Sequence, residues 1–404
     1  MTWKQKSLAL IGWAVALVGA FVVGLFVYVN ATMKPIHPNA KDVQSVTASS
    51  PSRQWANAVE QGRQLVRASV VGQNLPGVSV AVGVDGDIVW AEGFGWADLE
   101  KRLPVTPGTR FRIGGASMAF TSAAVGLLLE KDRLNLDTDI QRYVPDFPEK
   151  QWPVTLRELM GHMAGITGDG GDEEPLSERC ERTVDGTHRF AERPLRFEPG
   201  TRYRYSTYGW ILVSAAVEAA AGEPFFTFMS TRIFKPLGMA DTTPDSRAQP
   251  IPDRATFYYP RFAADPRYGP DLAGEGDYSC FAGAGAFLST PSDLARFGMA
   301  IISGKLLQPA TVKMLQAPQR LASGEETGYG LGWDRETVSI AGETTTSVGH
   351  DGEFFIGGST SFITFPERGL VVAVTTNISF ADTSSVALKI AQAFVEQMRS
   401  PARK

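Results

Sequence analysis

The two stretches of this chain with the clearest β pattern stand near its opposite ends. Residues 76–98, PGVSVAVGVDGDIVWAEGFGWAD, alternate valines around Asp85-Gly86, a pair that favours a tight hairpin turn. Residues 359–377, STSFITFPERGLVVAVTTN, form two β-runs around a turn at Pro366–Gly369. Between and around them the pattern is mainly helical. Apolar residues recur at helical spacing from about Trp55 to Val70. After Gly115, an apolar face carries Ala123, Leu127, Leu128 and Leu134. YGWILVSAAVEAAAG is a helix stopped by Gly222, and a last helix covers Thr383–Arg399. The acidic GITGDGGDEEPLSER has no period and reads as an exposed loop, and no internal repeat is present. The pattern predicts an α/β (α+β) fold: one antiparallel sheet built from both ends of the chain, flanked by helices, with a mostly helical region inserted.

A second constraint is the charge-free run from Leu8 to Val29. About 20 apolar residues suffice to cross a bilayer as a helix. Lys4 and Lys6 precede the run, which orients the short N-terminus to the cytoplasm and the rest outward. A cleaved signal peptide is the rival reading. The run is long for one and ends in Phe26, Tyr28 and Asn30 rather than a small-x-small site. The expected organisation is therefore a transmembrane anchor over 1–29, a flexible Pro- and Ser-containing stalk over 30–54, and a globular domain over 55–400. The expected location is the bacterial inner membrane, with the domain in the periplasm.

The chain has 404 residues, 20% of them charged, and a formal net charge of −4 with no long basic block. Nucleic acid is therefore not an expected partner. Cys180 and Cys280 are the two cysteines. An exported protein can pair them, and two free thiols fit the sequence equally well. There is no CxxC or HExxH spacing and the four histidines are scattered, so neither metal nor cofactor is expected.

FRIGGASMAFTSAAVGLLLEKDRLNLDTDIQRYVPDFP resembles the first catalytic segment of the serine β-lactamase and penicillin-binding-protein superfamily. The branch is that of class C β-lactamases, esterases, D-aminopeptidases and LACTB-like proteins. VTLRELMGHMAGI, FEPGTRYRYSTYGWILVSAAVE, FKPLGMADT, GAFLSTPSDLARFG and GHDGEFFIGGSTSFITFPERGLVVAVTTN resemble further family segments, in order, over about residues 60–398. The resemblance implies a serine at the start of a helix that attacks a carbonyl. A lysine one turn later lies on the same helix face and takes the serine proton, helped by a tyrosine of the second segment. Two backbone N–H groups hold the oxyanion.

Carried onto this chain, Tyr205 matches the tyrosine, with Ser206 and Thr207 completing its motif. His350, Asp351 and Gly352 match the third triplet, and Glu353 would offer the second oxyanion N–H. Gly115 stands in the serine place and Met118 in the lysine place, in a register set by Phe111-Arg112-Ile113-Gly114 and Phe120-Thr121. Glycine has no side chain to attack with, and a thioether is not a useful base. Ser117 is the substitute hydroxyl to weigh. Two residues along a helix turn it about 200° from position 115, away from the cleft. Its ordinary reading is a helix-start serine bonded to backbone.

The other residues also have plainer readings. Tyr205 could be a half-buried strand tyrosine, but its motif context favours the cleft. A neutral His350 bonded to Tyr205 is expected. His162 is expected to be structural, and His37 and His188 have no assigned role. Trp210, Phe354 and Phe355 fit either core or cleft wall.

Three readings follow: a catalytically impaired membrane-anchored protein whose cleft binds a peptide, cell-wall fragment, acyl or other small-molecule ligand; a hydrolase working through Ser117 or through water activated by Tyr205 and His350; and an assembly scaffold with an unknown protein partner.

Overall fold

The computed structural model describes residues 3–168, 178–248, 250–353 and 357–399. The N-terminal helix α1 spans Trp3–Thr32, followed by β1 (Ser45–Thr47) and α2 (Ala56–Gly72). Strands β2 (Gly77–Val84) and β3 (Asp87–Asp98) form the first hairpin. Asp85 and Gly86 at its turn both have positive φ, 50° and 99°, as a tight two-residue turn between twisted strands requires. The inserted region contributes α3 (Ser117–Leu129), α4 (Thr207–Ala221) and α5 (Pro291–Ile302). The chain then returns to the sheet through β4 (Asp334–Ile340), β5 (Glu343–Glu353), β6 (Ser359–Phe365) and β7 (Leu370–Thr376), and closes with α6 (Thr383–Arg399).

The sheet order is β1-β3-β2-β7-β6-β5-β4, with Leu103–Pro104 adding a short pairing to β3. Its central seam joins the two ends of the chain: β2 runs antiparallel to β7, with Val80 opposite Val374 and Ala81 opposite Ala373. This is the sheet expected from the two separated β patterns. Alternation along β2 sorts the faces. Val80 and Val82 join Val66 of α2 and Ile390 and Phe394 of α6 in one core, whereas Ala81 turns into the other core with Phe297 and Met299 of α5. Each large apolar side chain buried in this way contributes on the order of 1.5–3 kcal/mol. Small residues on the α5 face let that helix approach closely: a Cβ on Gly83 would lie 2.6 Å from Met299 Sδ.

The expected flexible stalk is corrected over most of its length. Residues 34–47 lie on the domain. Asn74 Oδ1 accepts the Ile36 N–H at 2.8 Å, and the buried His37 ring bonds the Pro76 carbonyl. Val43 belongs to the α2–α6 core, and β1 pairs with β3 from Ser45–Phe94 to Thr47–Glu92. The composition of the segment is linker-like, but Ile36, Val43 and Val46 alternate with polar residues and find partners on the domain. Most of the acidic, glycine-rich loop lies outside the described residues.

Candidate active site

The site begins at a buried ion pair. Arg112, 2% exposed, lies in the short strand Phe111–Arg112, and its Nε donates to Asp245 at 2.7 Å. Its guanidinium is 4.1 Å from the Phe257 ring centroid and 4.4 Å from that of Tyr278. Burial pulls the Arg112 pKa down and the Asp245 charge opposes that pull. Asp245 also accepts from Arg254 Nε at 2.9 Å, so losing this carboxylate would leave the buried Arg112 without its counter-charge, and the cluster fixes this strand firmly.

The chain next makes the turn Gly114–Ala116 and enters α3. Gly114 has φ +49°, and a Cβ there would lie 2.6 Å from the Glu353 carbonyl oxygen. A Cβ on Gly352 would sit 1.8 Å from the Ile113 oxygen. Backbone therefore packs directly on backbone between the start of α3 and the end of β5, and both glycines are required for it.

Gly115 and Met118 lie within this junction. Met118 is fully buried, and its Sδ accepts the Tyr205 hydroxyl at 3.4 Å. The Tyr329 oxygen lies 4.0 Å from the same sulfur. A Cβ built on Gly115 would be 2.7 Å from Tyr205 Oη and 3.2 Å from His350 Cε1. The tyrosine hydroxyl thus fills space that a side chain at position 115 would need.

The expected His350–Tyr205 bond is replaced by another pairing. His350 Nδ1 is 2.5 Å from the Asp351 carbonyl oxygen, and Nε2 is 2.8 Å from the Tyr329 hydroxyl. A carbonyl only accepts, so Nδ1 carries hydrogen, which leaves Nε2 as the ring nitrogen that meets the Tyr329 hydroxyl. Burial holds the Tyr329 phenol well above its ordinary pKa, which keeps that proton in place. The Tyr205 and His350 ring centroids are 6.3 Å apart.

His162 braces the same group from behind. Its ring stacks on Tyr205 at 4.2 Å and lies 4.7 Å from Tyr329. Its Nδ1 accepts the Ser206 N–H at 3.0 Å, and Nε2 is buried without a partner. Burial first, and then the nearby His350, push its pKa well below the ordinary histidine value, so the ring is neutral. Ser206 caps α4 by accepting the Gly209 N–H, and Thr207 is the first residue of that helix.

Strand alternation divides the third triplet. Gly352 and His350 face the α3 junction. Asp351 and Glu353 lie opposite Ser361 and Ser359 in β6 and point to the α6 side. Glu353 accepts the Phe380 N–H at 2.5 Å and the Ser359 hydroxyl at 3.2 Å. Loss of solvent around its carboxyl raises its pKa to about 7, against the effect of these two bonds. The Asp351 carboxyl is also raised by burial, opposed by Ser361. The side chains of Asp351 and Glu353 therefore lie across the strand from the α3 junction. The Glu353 backbone does abut Gly114.

Ser117 is buried, and its hydroxyl has no hydrogen-bond partner, so the expected backbone bond is absent. It is not joined to Tyr205 or His350. Trp210 is fully buried core, whereas Phe354 and Phe355 lie outside the described residues. Tyr329 is the site residue that sequence reasoning missed. Its available signal was local: in Gly328-Tyr329-Gly330-Leu331-Gly332 an aromatic is flanked by glycines, and Gly328 and Gly332 have φ +76° and +93°. Among the described residues no group of three or more His, Cys, Asp or Glu side chains is placed to hold a metal ion.

The cysteine question, open in the sequence, closes in the structure as a Cys180–Cys280 disulfide. Cys280 belongs to the turn Ser279–Ala284. In that turn Gly283 accepts from Thr121 of α3 and donates to Ser214 of α4, each at 3.0 Å. The bridge therefore ties an outlying segment to the helices that form the site. A disulfide together with an apolar N-terminal helix points to an extracytoplasmic location.

Known proteins share this framework. Human mitochondrial serine beta-lactamase-like protein LACTB is 28% identical over 451 aligned positions, covering 85% of this chain and 81% of that protein. The octameric penicillin-binding protein homologue from Pyrococcus abyssi superposes with a TM-score of 0.68 at 25% identity, over 84% of this chain and 77% of the other. The D-amino acid amidase of Ochrobactrum anthropi SV3 shares the fold, with a TM-score of 0.69 at 24% identity over 85% and 99% of the two chains. The Beta-lactamase family model matches residues 62–396, from α2 through α6, and with the sheet joined from both chain ends this chain belongs to the beta-lactamase family.

Proposed function

We propose that this protein is a membrane-anchored, extracytoplasmic member of the family that binds a peptide, cell-wall or acyl ligand in the cleft without forming a covalent intermediate. The observation that carries this reading is the filling of the catalytic positions. Gly115 offers no attacking oxygen, and Tyr205 Oη stands 2.7 Å from where its Cβ would be. Met118 places a weak acceptor in the position of a base and takes the Tyr205 hydrogen instead. In an acyl-transfer site of the family type, a base would take a proton from the nucleophile. Here the donor is the tyrosine, and the acceptor cannot pass a proton on.

What the cleft retains suits reversible binding. Gly115 is partly open to solvent, Tyr205 is half buried, and the Glu353 backbone lies beside Gly114. Helix α1 supports the anchor: Leu10–Thr32 is long and apolar enough to cross a bilayer, and it is exposed along its length except near its end, where Val29 is buried.

The test is incubation of the full chain with a fluorophosphonate, a reporter penicillin and a nitrophenyl ester, read by intact mass. The expected result is no adduct and no turnover, with muropeptides or acyl peptides binding reversibly in calorimetry. An adduct on Ser117, Tyr205 or any other residue would overturn the reading.

A further inference from the structure

We propose that the loop Arg261–Tyr268 is an interfacial foot, resting in the headgroup and acyl boundary of the bilayer beside α1 with Phe262, Ala263 and Ala264 toward lipid. This rests on the anchor reading of α1. The loop joins the two strands of a separate hairpin, Tyr258–Pro260 and Pro270–Leu272. Its aromatic residues touch the anchor. The Phe26 ring centroid is 6.5 Å from that of Phe262 and 6.3 Å from that of Tyr268. Arg261 Nη2 lies 3.5 Å from both the Val29 carbonyl and Thr32 Oγ1, among the carbonyls left unpaired where α1 ends.

The depth of these contacts carries the argument. Phe26 lies six residues before the end of α1, about 9 Å along the axis at the helical rise. The apolar span runs from Leu10 to Thr32. A loop that reaches Phe26 therefore descends below the point where the span leaves the bilayer.

The chemistry of the loop fits that depth. Residues 262–264 carry no charge, and Ala263 and Ala264 are exposed. The two charges that follow, Asp265 and Arg267, pair at 2.6 Å, which lowers the cost of holding them near a low-dielectric boundary. Tyr268 is of the type that settles at membrane interfaces, and Phe262 of the type that an interfacial segment buries toward the acyl chains. Outside α1, seven large apolar side chains are exposed among the described residues, and three of them, Met33, Tyr259 and Leu272, belong to this hairpin or to the exit of α1.

The foot also connects to the cleft. Phe257, at the root of the hairpin, stacks on Arg112, which holds the strand leading into the Gly114–Gly115 turn. Contact with the bilayer would therefore set the position of the cleft relative to the membrane.

The test uses the full chain in nanodiscs of phosphatidylcholine and phosphatidylglycerol. The native cysteines are paired, so one added cysteine is the single site for a nitroxide label. Val18→Cys reports the anchor and Ala263→Cys the foot, each through collision with oxygen and with a water-soluble nickel chelate. In the expected result both labels collide more with oxygen than with nickel. A lipid-exposed label at position 18 with a water-exposed one at 263 overturns the foot and leaves the anchor standing. Water exposure at both positions overturns the anchor reading and the foot with it.

Discussion

The Tyr205 hydroxyl donates to the Met118 thioether at 3.4 Å while standing 2.7 Å from where a Cβ on Gly115 would be. One tyrosine thus bridges the two positions that the proposed reading aligns with the family's serine and lysine. Positions 115 and 118 are coupled through it, and changes at either one must be read together.

That coupling makes the paired substitution informative. Gly115→Ser alone forces Tyr205 aside, an overpacking change expected to cost about 1–3 kcal/mol, and should not acylate. Gly115→Ser with Met118→Lys supplies both nucleophile and base, and we expect a fluorophosphonate adduct at position 115 by peptide mass mapping. A folded double variant that stays unlabelled would mean that the cleft has diverged beyond these two residues.

Met118 is also a packing residue, fully buried in the main core. Met118→Leu conserves volume and should cost less than about 1.5 kcal/mol, whereas Met118→Ala opens a cavity and should cost about 2–5 kcal/mol. Urea unfolding of the detergent-solubilised chain measures both. Equal effects of the two changes would mean that the sulfur, not the packing, dominates the site.

Two titrations, one of the buried His162 and one of the partly solvated Glu353, should tilt stability in opposite directions. His162 has a pKa well below 6.5 in the folded state. As pH falls below 6.5 the unfolded chain takes up a proton that the folded chain refuses, so stability is lost. Glu353 is raised from 4.5 to about 7. Its contribution is complete below pH 4.5 and is lost as pH rises toward 7, with a modest amplitude because the side chain is partly solvated. His162→Gln should flatten the acid limb, and Glu353→Gln should remove the decline between about pH 4.5 and 7. Unfolding free energies of the wild type and each variant, compared at pH 5 and 7.5, give the signs.

The disulfide joins residues 100 apart. Closing so long a loop in the unfolded chain should be worth about 2–4 kcal/mol. Cys180→Ser with Cys280→Ser should lower the melting temperature, and reductant should lower that of the wild type but not of the variant. No loss on reduction would mean that the unfolded chain keeps this region compact.

Much of the framework was legible locally. The Asp85-Gly86 turn, the Pro366–Gly369 turn, the stop at Gly222 and the span of the last helix follow from backbone chemistry that neighbouring residues dictate. The ordered motifs placed Gly115, Met118, Tyr205 and His350 together, because each lies at a fixed offset from an element end. What local pattern could not supply was which distant group completes each contact. Tyr329 reaches His350 from a glycine-flanked loop with no period, and His162 reaches Tyr205 and Ser206 from another segment.

By itself, the sequence determined the apolar N-terminal span, the two-ended sheet and the absence of a serine and a lysine at positions 115 and 118. These depend on composition, alternation and register, which are properties of short stretches. Only the tertiary structure decided that Tyr205 turns to a sulfur, that Asp351 and Glu353 face α6, that residues 34–47 dock on the domain and that Cys180 meets Cys280. Each of those outcomes depends on packing between segments far apart in the chain, where burial and hydrogen-bond satisfaction select one partner among several that local pattern leaves open.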